Sequence, residues 1–374
     1  MMNRFVLKQI QETCAANKIV VLKGAKRSGR KSLIASIFPN TNEKETLWLD
    51  LDNAKKRKQY DSLEFLKGKS LDKKHLVISE AQYLTCLQDF IDWALEVDSI
   101  QSICLICSFE LDLHEELWEA LRDQNLEISL FPLTYTECAN HFGLVQEDAR
   151  LEERLIYGYY PEVVSNPEQA EAILYDILET STFRQLGASD RINKTEKLIK
   201  LLRHCAFNIG KVISFNDLGK KCGLDNETVE RYIRLFEKAQ ILFLLPVFST
   251  AKRYELKKSY TIYFLDNGIR NALIRAFQPL EFRNDVEELW KNWLISERYK
   301  ANFYKNLKVE CYFWLTHTKQ EVDYLEFSSN QQTGYLMKLE GWKKIKVPVS
   351  FSTYYPQINV KEVNRKTFWN FIKI

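Results

Sequence analysis

The sequence predicts an α/β protein that opens with a three-layer parallel sheet and continues into two smaller segments. Three observations carry this. Apolar runs at Ile19–Leu22, Leu47–Leu51, Leu76–Ile78, Ile103–Ile106 and Ile128–Phe131 alternate with helical stretches. Short buried strands separated by helices imply parallel pairing with helices on both faces. The first run leads into a glycine- and lysine-rich turn, and beyond residue 145 the alternation gives way to helix pairs and then to aromatic-rich strands. The expected parts are residues 1–145, 146–277 and 278–374, each long enough for its own core.

The turn after the first strand reads Gly24-Ala25-Lys26-Arg27-Ser28-Gly29-Arg30-Lys31-Ser32. A phosphate-binding P-loop needs G-x-x-x-x-G-K-[ST] between a strand and a helix. Backbone amides then close on the phosphates, the Lys reaches the β/γ oxygens and the hydroxyl holds Mg²⁺. With Gly24 and Gly29 in the glycine positions, Arg30 replaces the Lys and Lys31 the hydroxyl residue. Shifting by one makes Lys31-Ser32 the functional pair but puts Ala25 and Arg30 where glycines belong. Leu33, Ile34 and Ile37 continue as an apolar helical face, so the strand–loop–helix context is right. The fold expectation for the first part is therefore a P-loop NTPase sheet, with a loop that is a P-loop by descent and impaired in chemistry.

The third run ends in Ser79-Glu80. In P-loop NTPases of this layout an Asp there orders Mg²⁺ and the next Glu polarises the attacking water. Ser79 brings no negative charge, and Glu80 is either a retained base or a solvated residue at a strand end.

Composition bounds the rest. With 45% hydrophobic and 28% charged residues the 374-residue chain is ordinary for a soluble globular protein. No apolar run approaches the ~20 residues that cross a bilayer. The opening Met-Met-Asn-Arg-Phe-Val-Leu-Lys turns polar too early for a signal peptide. The expectation is a cytoplasmic protein without a membrane partner, its eight cysteines reduced. Cys104-x-x-Cys107 lies inside an apolar strand and lacks a second pair, which favours buried thiols over zinc or redox work. The net charge of +3 means that nucleic-acid affinity must come from local patches.

Several motifs in order resemble one group of bacterial and archaeal proteins. They are Leu76-Val77-Ile78-Ser79-Glu80-Ala81-Gln82, Cys107-Ser108 after a strand, Phe131-Pro132-Leu133-Thr134-Tyr135-Thr136-Glu137, and Tyr157-Gly158-Tyr159-Tyr160-Pro161-Glu162. The group is the AAA-type ATPases whose C-terminal half is a domain of unknown function with a restriction-nuclease-like end. Thr228-Val229-Glu230-Arg231-Tyr232 and Tyr263-Phe264-Leu265-Asp266-Asn267-Gly268-Ile269-Arg270 extend the resemblance. It implies a Gly-Gly-Tyr-Pro signature, where this chain has Tyr159 for one Gly. It also implies an arginine finger at the positions of Asp123-Gln124, which lack it; Arg122 lies beside them on another face. The implied fold is an AAA-like P-loop domain, a winged-helix segment and a small α+β nuclease-like domain.

In the middle part Leu198–Leu202 opens a helix, Ser214 caps a second, and Gly223-Leu224-Asp225 turns into a third that carries Thr228, Arg231 and Arg234. Ile241–Leu245 and Tyr260–Leu265, joined through Lys252-Arg253-Tyr254 and Lys257-Lys258, supply a two-stranded wing. The functional reading sets the third helix in a DNA groove with wing lysines on phosphates. Glu227, Glu230 and Glu237 on that helix weigh against it.

In the last part Leu289–Arg298 forms an amphipathic helix, and Cys311–Trp314, Glu321–Leu325 and Gly334–Lys338 read as strands. The resemblance implies a nuclease-like site with a helix Glu, an Asp and an E-x-K. Here Lys291 replaces the helix Glu, Asp323 is kept, and Leu336-Met337-Lys338 loses the carboxylate. Reading Lys338-Leu339-Glu340 instead reverses the charges. One carboxylate is too few for a metal-dependent nuclease, so Asp323 and Lys338 are expected to pair or to sit in solvent. Trp290, Trp293, Phe313, Trp314, Tyr324 and Trp342 are first of all core material.

These readings combine into a nucleotide-responsive or structural binding protein with weak or absent hydrolysis and nuclease activity. ATP is the expected ligand, held by residues 24–32, with at most a weak Mg²⁺ site and no protein-only metal site. Its expected partners are DNA, another protein or a second copy. Two alternatives stand beside it. One is a slow ATPase using Arg30 or Lys31 with Ser32 and Glu80; the other is a winged-helix DNA-binding regulator acting through Thr228, Arg231 and Arg234.

Overall fold

A computed structural model describes residues 2–16, 18–39, 43–109, 111–124, 126–183, 186, 195–249, 259–339 and 346–374. The chain divides into two compact units, Met1–Pro132 and Leu133–Ile374. The residues expected in the second and third parts share one unit, and Leu133–Val145 belongs with them. The expected wing lysines at 252, 257 and 258, and Glu340 and Trp342, lie outside the described residues.

The first unit is α/β, with five parallel strands: β1 (Ile19–Gly24), β2 (Thr46–Asp50), β3 (His75–Ser79), β4 (Ser102–Cys107) and β5 (Glu127–Leu130). Their spatial order is β2-β3-β4-β1-β5, the core of a P-loop NTPase. Every residue of β4 is buried, as a central strand covered on both faces must be. Val21, Leu49, Ile78 and Leu105 pack with Phe90 and Ile91 of the helix Leu87–Glu96. Cys104 and Cys107 are part of this interior as free thiols, and burial pushes the Cys107 thiol up to about 12. This topology matters for the site. It brings the C-terminal ends of β1, β3 and β4 side by side, with Ser79 paired to Ile106 and Lys23 to Cys107.

The second unit begins with a capping box. Thr134 Oγ1 accepts from the Glu137 amide at 3.1 Å, and Glu137 Oε2 accepts from the Thr134 amide at 3.0 Å, starting the helix Tyr135–Phe142. Further on, the helix Thr195–Phe207 is followed by β6 (Val212–Ile213), the helices Phe215–Cys222 and Asn226–Lys238, β7 (Leu242–Pro246) and β8 (Tyr260–Phe264). The three strands form an antiparallel sheet, β6-β8-β7. The helix Asn226–Lys238 buries Val229, Tyr232, Ile233 and Phe236, one helical face, and Asp225 caps its start.

The helix Val286–Tyr304 leads to a four-stranded sheet of β9 (Glu310–Leu315), β10 (Glu321–Phe327), β11 (Gln332–Met337) and β12 (Asn359–Val363). Its order is β12-β11-β10-β9, with only β11 and β12 parallel. Trp290, Trp293 and Phe368 pack against one another as core, their rings tilted or edge-on. Among the described residues no helix is long and apolar enough to cross a membrane.

Two of the sequence signatures prove to be one junction. Gly158, at φ 72°, follows the helix Leu151–Tyr157. Any Cβ there would lie 2.2 Å from Asp266 Oδ1, so only glycine lets the carboxylate approach. Asp266 accepts from the Tyr159 amide at 2.6 Å and from the Ile269 amide at 3.1 Å. Asn271 Nδ2 donates to Ile156 O at 2.7 Å. The Tyr-Gly-Tyr-Tyr-Pro and Leu-Asp-Asn-Gly stretches are thus halves of a buried polar joint.

Candidate functional site

The loop 24–32 and the end of β3 come together as the sheet order requires. Gly29, with φ 99°, precedes the first turn of the helix Arg30–Ile37. This fixes the register: Gly29 is the second glycine, Arg30 stands in the lysine position and Lys31 in the hydroxyl position. Ser32 lies one residue further round the helix and is exposed. Gly24 is held close to β5, where an added Cβ would sit 2.5 Å from Leu130 O. Arg27 also has a left-handed φ of 65°, and alternating left- and right-handed residues turn successive amides toward one concavity.

Arg30 is buried and turned inward. Its Nη2 lies 2.8 Å from Glu80 Oε1 and 3.3 Å from Ser108 Oγ, which follows β4. Glu80 is 1% exposed and accepts further bonds from Ser108 Oγ and, at 2.9 Å, from Gln82 Nε2. Burial alone would raise its carboxyl, but the Arg30 charge and the Ser108 hydroxyl outweigh burial and hold it below the ordinary range. Glu80 also occupies left-handed backbone, φ 57° and ψ 47°, a conformation costing about 1–2 kcal/mol for an L-residue. The ion pair and hydrogen bonds must offset this.

The other loop cations face carboxylates at the end of β2. Lys31 Nζ is 2.9 Å from Asp50 Oδ1 and 3.8 Å from Asp52 Oδ2, and Lys26 Nζ is 2.7 Å from Asp52 Oδ1. Asp52, which burial would raise, is held low by Lys26 and Lys31. Within this cluster Ser28 Oγ, Arg30 Nη1 and Ser79 Oγ are buried without a hydrogen-bond partner among the described residues. Buried polar atoms of this kind ask for a water or a ligand. Ala25 is buried beneath the loop. Gln124 ends the helix Glu115–Asp123, and Arg122 on that helix pairs with exposed Glu115.

Elsewhere the sequence-based sites are dispersed. Thr228 donates its hydroxyl to Asp225 at 2.8 Å as part of the helix cap, and Arg234 pairs with Glu230 at 2.8 Å on the exposed face. Arg231 lies over the Tyr232 ring at 5.4 Å. Asp323 is not paired with Lys338, which is exposed. Its partner is Lys291, at 2.5 Å, and Lys291 also lies 3.2 Å from Glu321. The expected Asp323–Lys338 pairing fails because the helix Val286–Tyr304 presents Lys291 to β10, nearer than β11's exposed end. Burial would lower the Lys291 ammonium, but Asp323 and Glu321 outweigh it and raise it above its ordinary value. Leu336 packs into an apolar cluster with Trp314, Val322 and Phe351. No group of His, Cys, Asp and Glu among the described residues is arranged to hold a metal.

Asp50, Asp52 and Ser108 were not singled out as site residues from the sequence. The available signal was an Asp-x-Asp after the second strand facing a basic loop in a parallel sheet.

Residues 16–139 match the sequence profile of an AAA domain. The first unit carries an AAA-type P-loop domain. Residues 148–280, beyond the AAA domain, match a domain of unknown function. An uncharacterised protein of Haemophilus influenzae is 22% identical over 95% of this chain and 94% of its own length. Among solved structures, a Walker-type ATPase of Pyrococcus abyssi has a TM-score of 0.45 at 12% identity, covering 73% of this chain and 96% of that one. AMPPCP-bound DnaA from Aquifex aeolicus has a TM-score of 0.28 at 14% identity, covering 62% and 86%.

Proposed function

We propose that the AAA domain binds a nucleoside polyphosphate without turning it over, and that the protein works as a nucleotide-responsive binding protein. The observation that carries this is the buried Arg30–Glu80 pair. To polarise a water, Glu80 must be free to accept its proton; here both carboxylate oxygens are taken by Arg30, Ser108 and Gln82. Breaking such a pair costs about 3–5 kcal/mol, so Arg30 stays on Glu80 rather than following a phosphate. The slow-ATPase alternative needs that exchange and an inward Ser32, and Ser32 is exposed.

Binding is another matter. Lys26 and Lys31 are held by partly exposed carboxylates, and such pairs contribute about 0–1 kcal/mol. A phosphate oxygen, worth about 1.5–3 kcal/mol to a charged donor, draws these ammonium groups toward the ligand. Loop amides and the unpartnered Ser28 and Arg30 atoms complete the cradle.

Titration of the full chain with a fluorescent ATP analogue tests the reading. Saturable binding without measurable phosphate release is expected. Turnover that Glu80→Gln abolishes would overturn it, and so would no saturable signal at millimolar nucleotide.

A second reading has its own support. Helices and strands from Thr195 to Phe264 follow the order of a winged helix, and the basic side chains concentrate on its first two helices. Between residues 195 and 222 the sequence carries Lys197, Lys200, Arg203, Lys211, Lys220 and Lys221 against two acids, Glu196 and Asp217. Burial and the nearby Lys221 and Lys200 hold His204 below its ordinary pKa. Nucleic-acid phosphates fit this face better than the mixed-charge helix carrying Thr228, Arg231 and Arg234. A salt-dependent gel shift weakened by Lys200→Glu with Lys221→Glu, more than by Arg231→Ala with Arg234→Ala, is expected; no shift at low salt removes this reading.

A further inference from the structure

We infer that the AAA domain takes its nucleotide as the metal-free anion, with the Lys31 ammonium standing in for Mg²⁺. The inference rests on the nucleotide reading above and specifies which ionic form of the ligand the site selects.

A P-loop holds Mg²⁺ with the hydroxyl that follows its lysine and with an acidic residue at the end of a neighbouring strand. The register set by Gly29 places Lys31 at the first position, and β3 ends with Ser79 at the second. Ser79 is buried and uncharged, and its Oγ has no hydrogen-bond partner among the described residues. The carboxylates nearby are already matched to the chain's own cations: Glu80 to Arg30, Asp50 to Lys31, Asp52 to Lys26. A divalent cation entering here would meet two ammonium groups and a guanidinium before it met an unshared carboxylate. The residues present therefore do not fit Mg²⁺.

They do fit an anion of higher charge. Mg²⁺ removes two negative charges from a triphosphate, and those charges are what Lys26, Lys31 and the loop amides attract. Lys31 is on the first turn of the helix Arg30–Ile37, and its ammonium, with three donors, can take a phosphate oxygen while keeping Asp50 at small cost. Asp50 and Asp52 would repel the anion if uncovered, so Lys26 and Lys31 bridge phosphate and carboxylate together. The same two lysines thus do the charge-bridging that a metal does in a working site.

The test is an affinity comparison on the full chain, using a fluorescent ATP analogue in excess EDTA and in excess MgCl₂. Binding in EDTA about tenfold tighter than in Mg²⁺ is expected. Equal affinity in the two conditions, or tighter binding in Mg²⁺, overturns the inference and leaves the nucleotide reading standing, whereas no saturable binding in either condition overturns both. Lys31→Ala should weaken binding in EDTA by about tenfold with an unchanged melting curve; unchanged affinity removes Lys31 from the role. Combining Lys31→Thr with Ser79→Asp should reverse the preference toward Mg²⁺, and continued preference for EDTA in a folded double variant overturns the assignment of these two positions.

Discussion

Two ion pairs invite comparison: Arg30–Glu80 in the AAA domain and Lys291–Asp323 in the second unit. In each, a cation of the chain meets a carboxylate where the family resemblance implied catalytic chemistry. They differ in what surrounds them. Around Arg30 three buried polar atoms lack partners, and two further lysines wait on exposed acids. Around Lys291 the pair itself is satisfied: Asp323 takes the ammonium at 2.5 Å and the Met337 amide at 2.7 Å, and Glu321 shares the lysine at 3.2 Å. The first pair thus stands beside buried polar atoms without partners, whereas the second is satisfied within itself. Residual binding capacity is read from unsatisfied atoms, not from how many motif residues are missing.

The comparison breaks most readily at Arg30. Arg30→Ala strands a buried carboxylate and should cost about 3–5 kcal/mol in chemical denaturation. A loss under ~1 kcal/mol would mean that Glu80 is easily freed, and the case against turnover would weaken. Lys291→Ala leaves Asp323 unpaired on a site 21% open at the lysine, so about 1–3 kcal/mol is expected after solvent screening. A larger loss than for Arg30→Ala would reverse the ranking of the two joints.

The pairs should also fail at opposite ends of the pH scale. Glu80 is held below its unfolded value of about 4.3, so its contribution is complete above that pH and is lost as pH falls through the lower folded value. Lys291 is raised above its unfolded value of about 10.4, so its contribution is complete below that and is lost as pH rises beyond it. Burial outweighs Lys291 and raises the Asp323 carboxyl, so protonating that partner in acid relieves its burial and does not weaken the second joint. Hydrogen exchange should therefore quicken first in β1 and β3 in acid and first in β10 and β11 in alkali. The reverse order would remove these pairs as the controlling groups. The smallest effect is Lys31→Ala, within about 0.5 kcal/mol of the parent; a stability loss above 1 kcal/mol would show that Lys31 is structural and not available to a ligand.

Much of the AAA domain was legible because its signal is local. All five apolar runs became strands within two residues of their expected ends, since a buried parallel strand needs only a short β-branched stretch. The strand β12, Asn359–Val363, gave no such signal, because its residues alternate between partly exposed and exposed until Val363. The pairings at the two centres were illegible for a different reason. Arg30 meets Glu80 across 50 residues, and Lys291 meets Glu321 across 30. Nothing in spacing along the chain ranks Lys291 above Lys338 as a neighbour of Asp323. Their choice follows from the side of β10 that the helix Val286–Tyr304 covers.

The fastenings of the two units also set a schedule for synthesis. Arg4 Nη2 donates to Phe131 O at 2.6 Å, so the AAA domain has its closing contact once residue 131 has left the ribosome. The second unit has no such early close. Its first helix is tied by the Tyr135 amide to Glu297 at 2.8 Å, and Asp266 must arrive before Gly158 and Tyr159 have their partner. At 5–20 residues per second, the first unit has about ten seconds or more as a finished domain while its successor remains an open chain. During that interval the loop at Gly24–Ser32 is already part of a finished sheet.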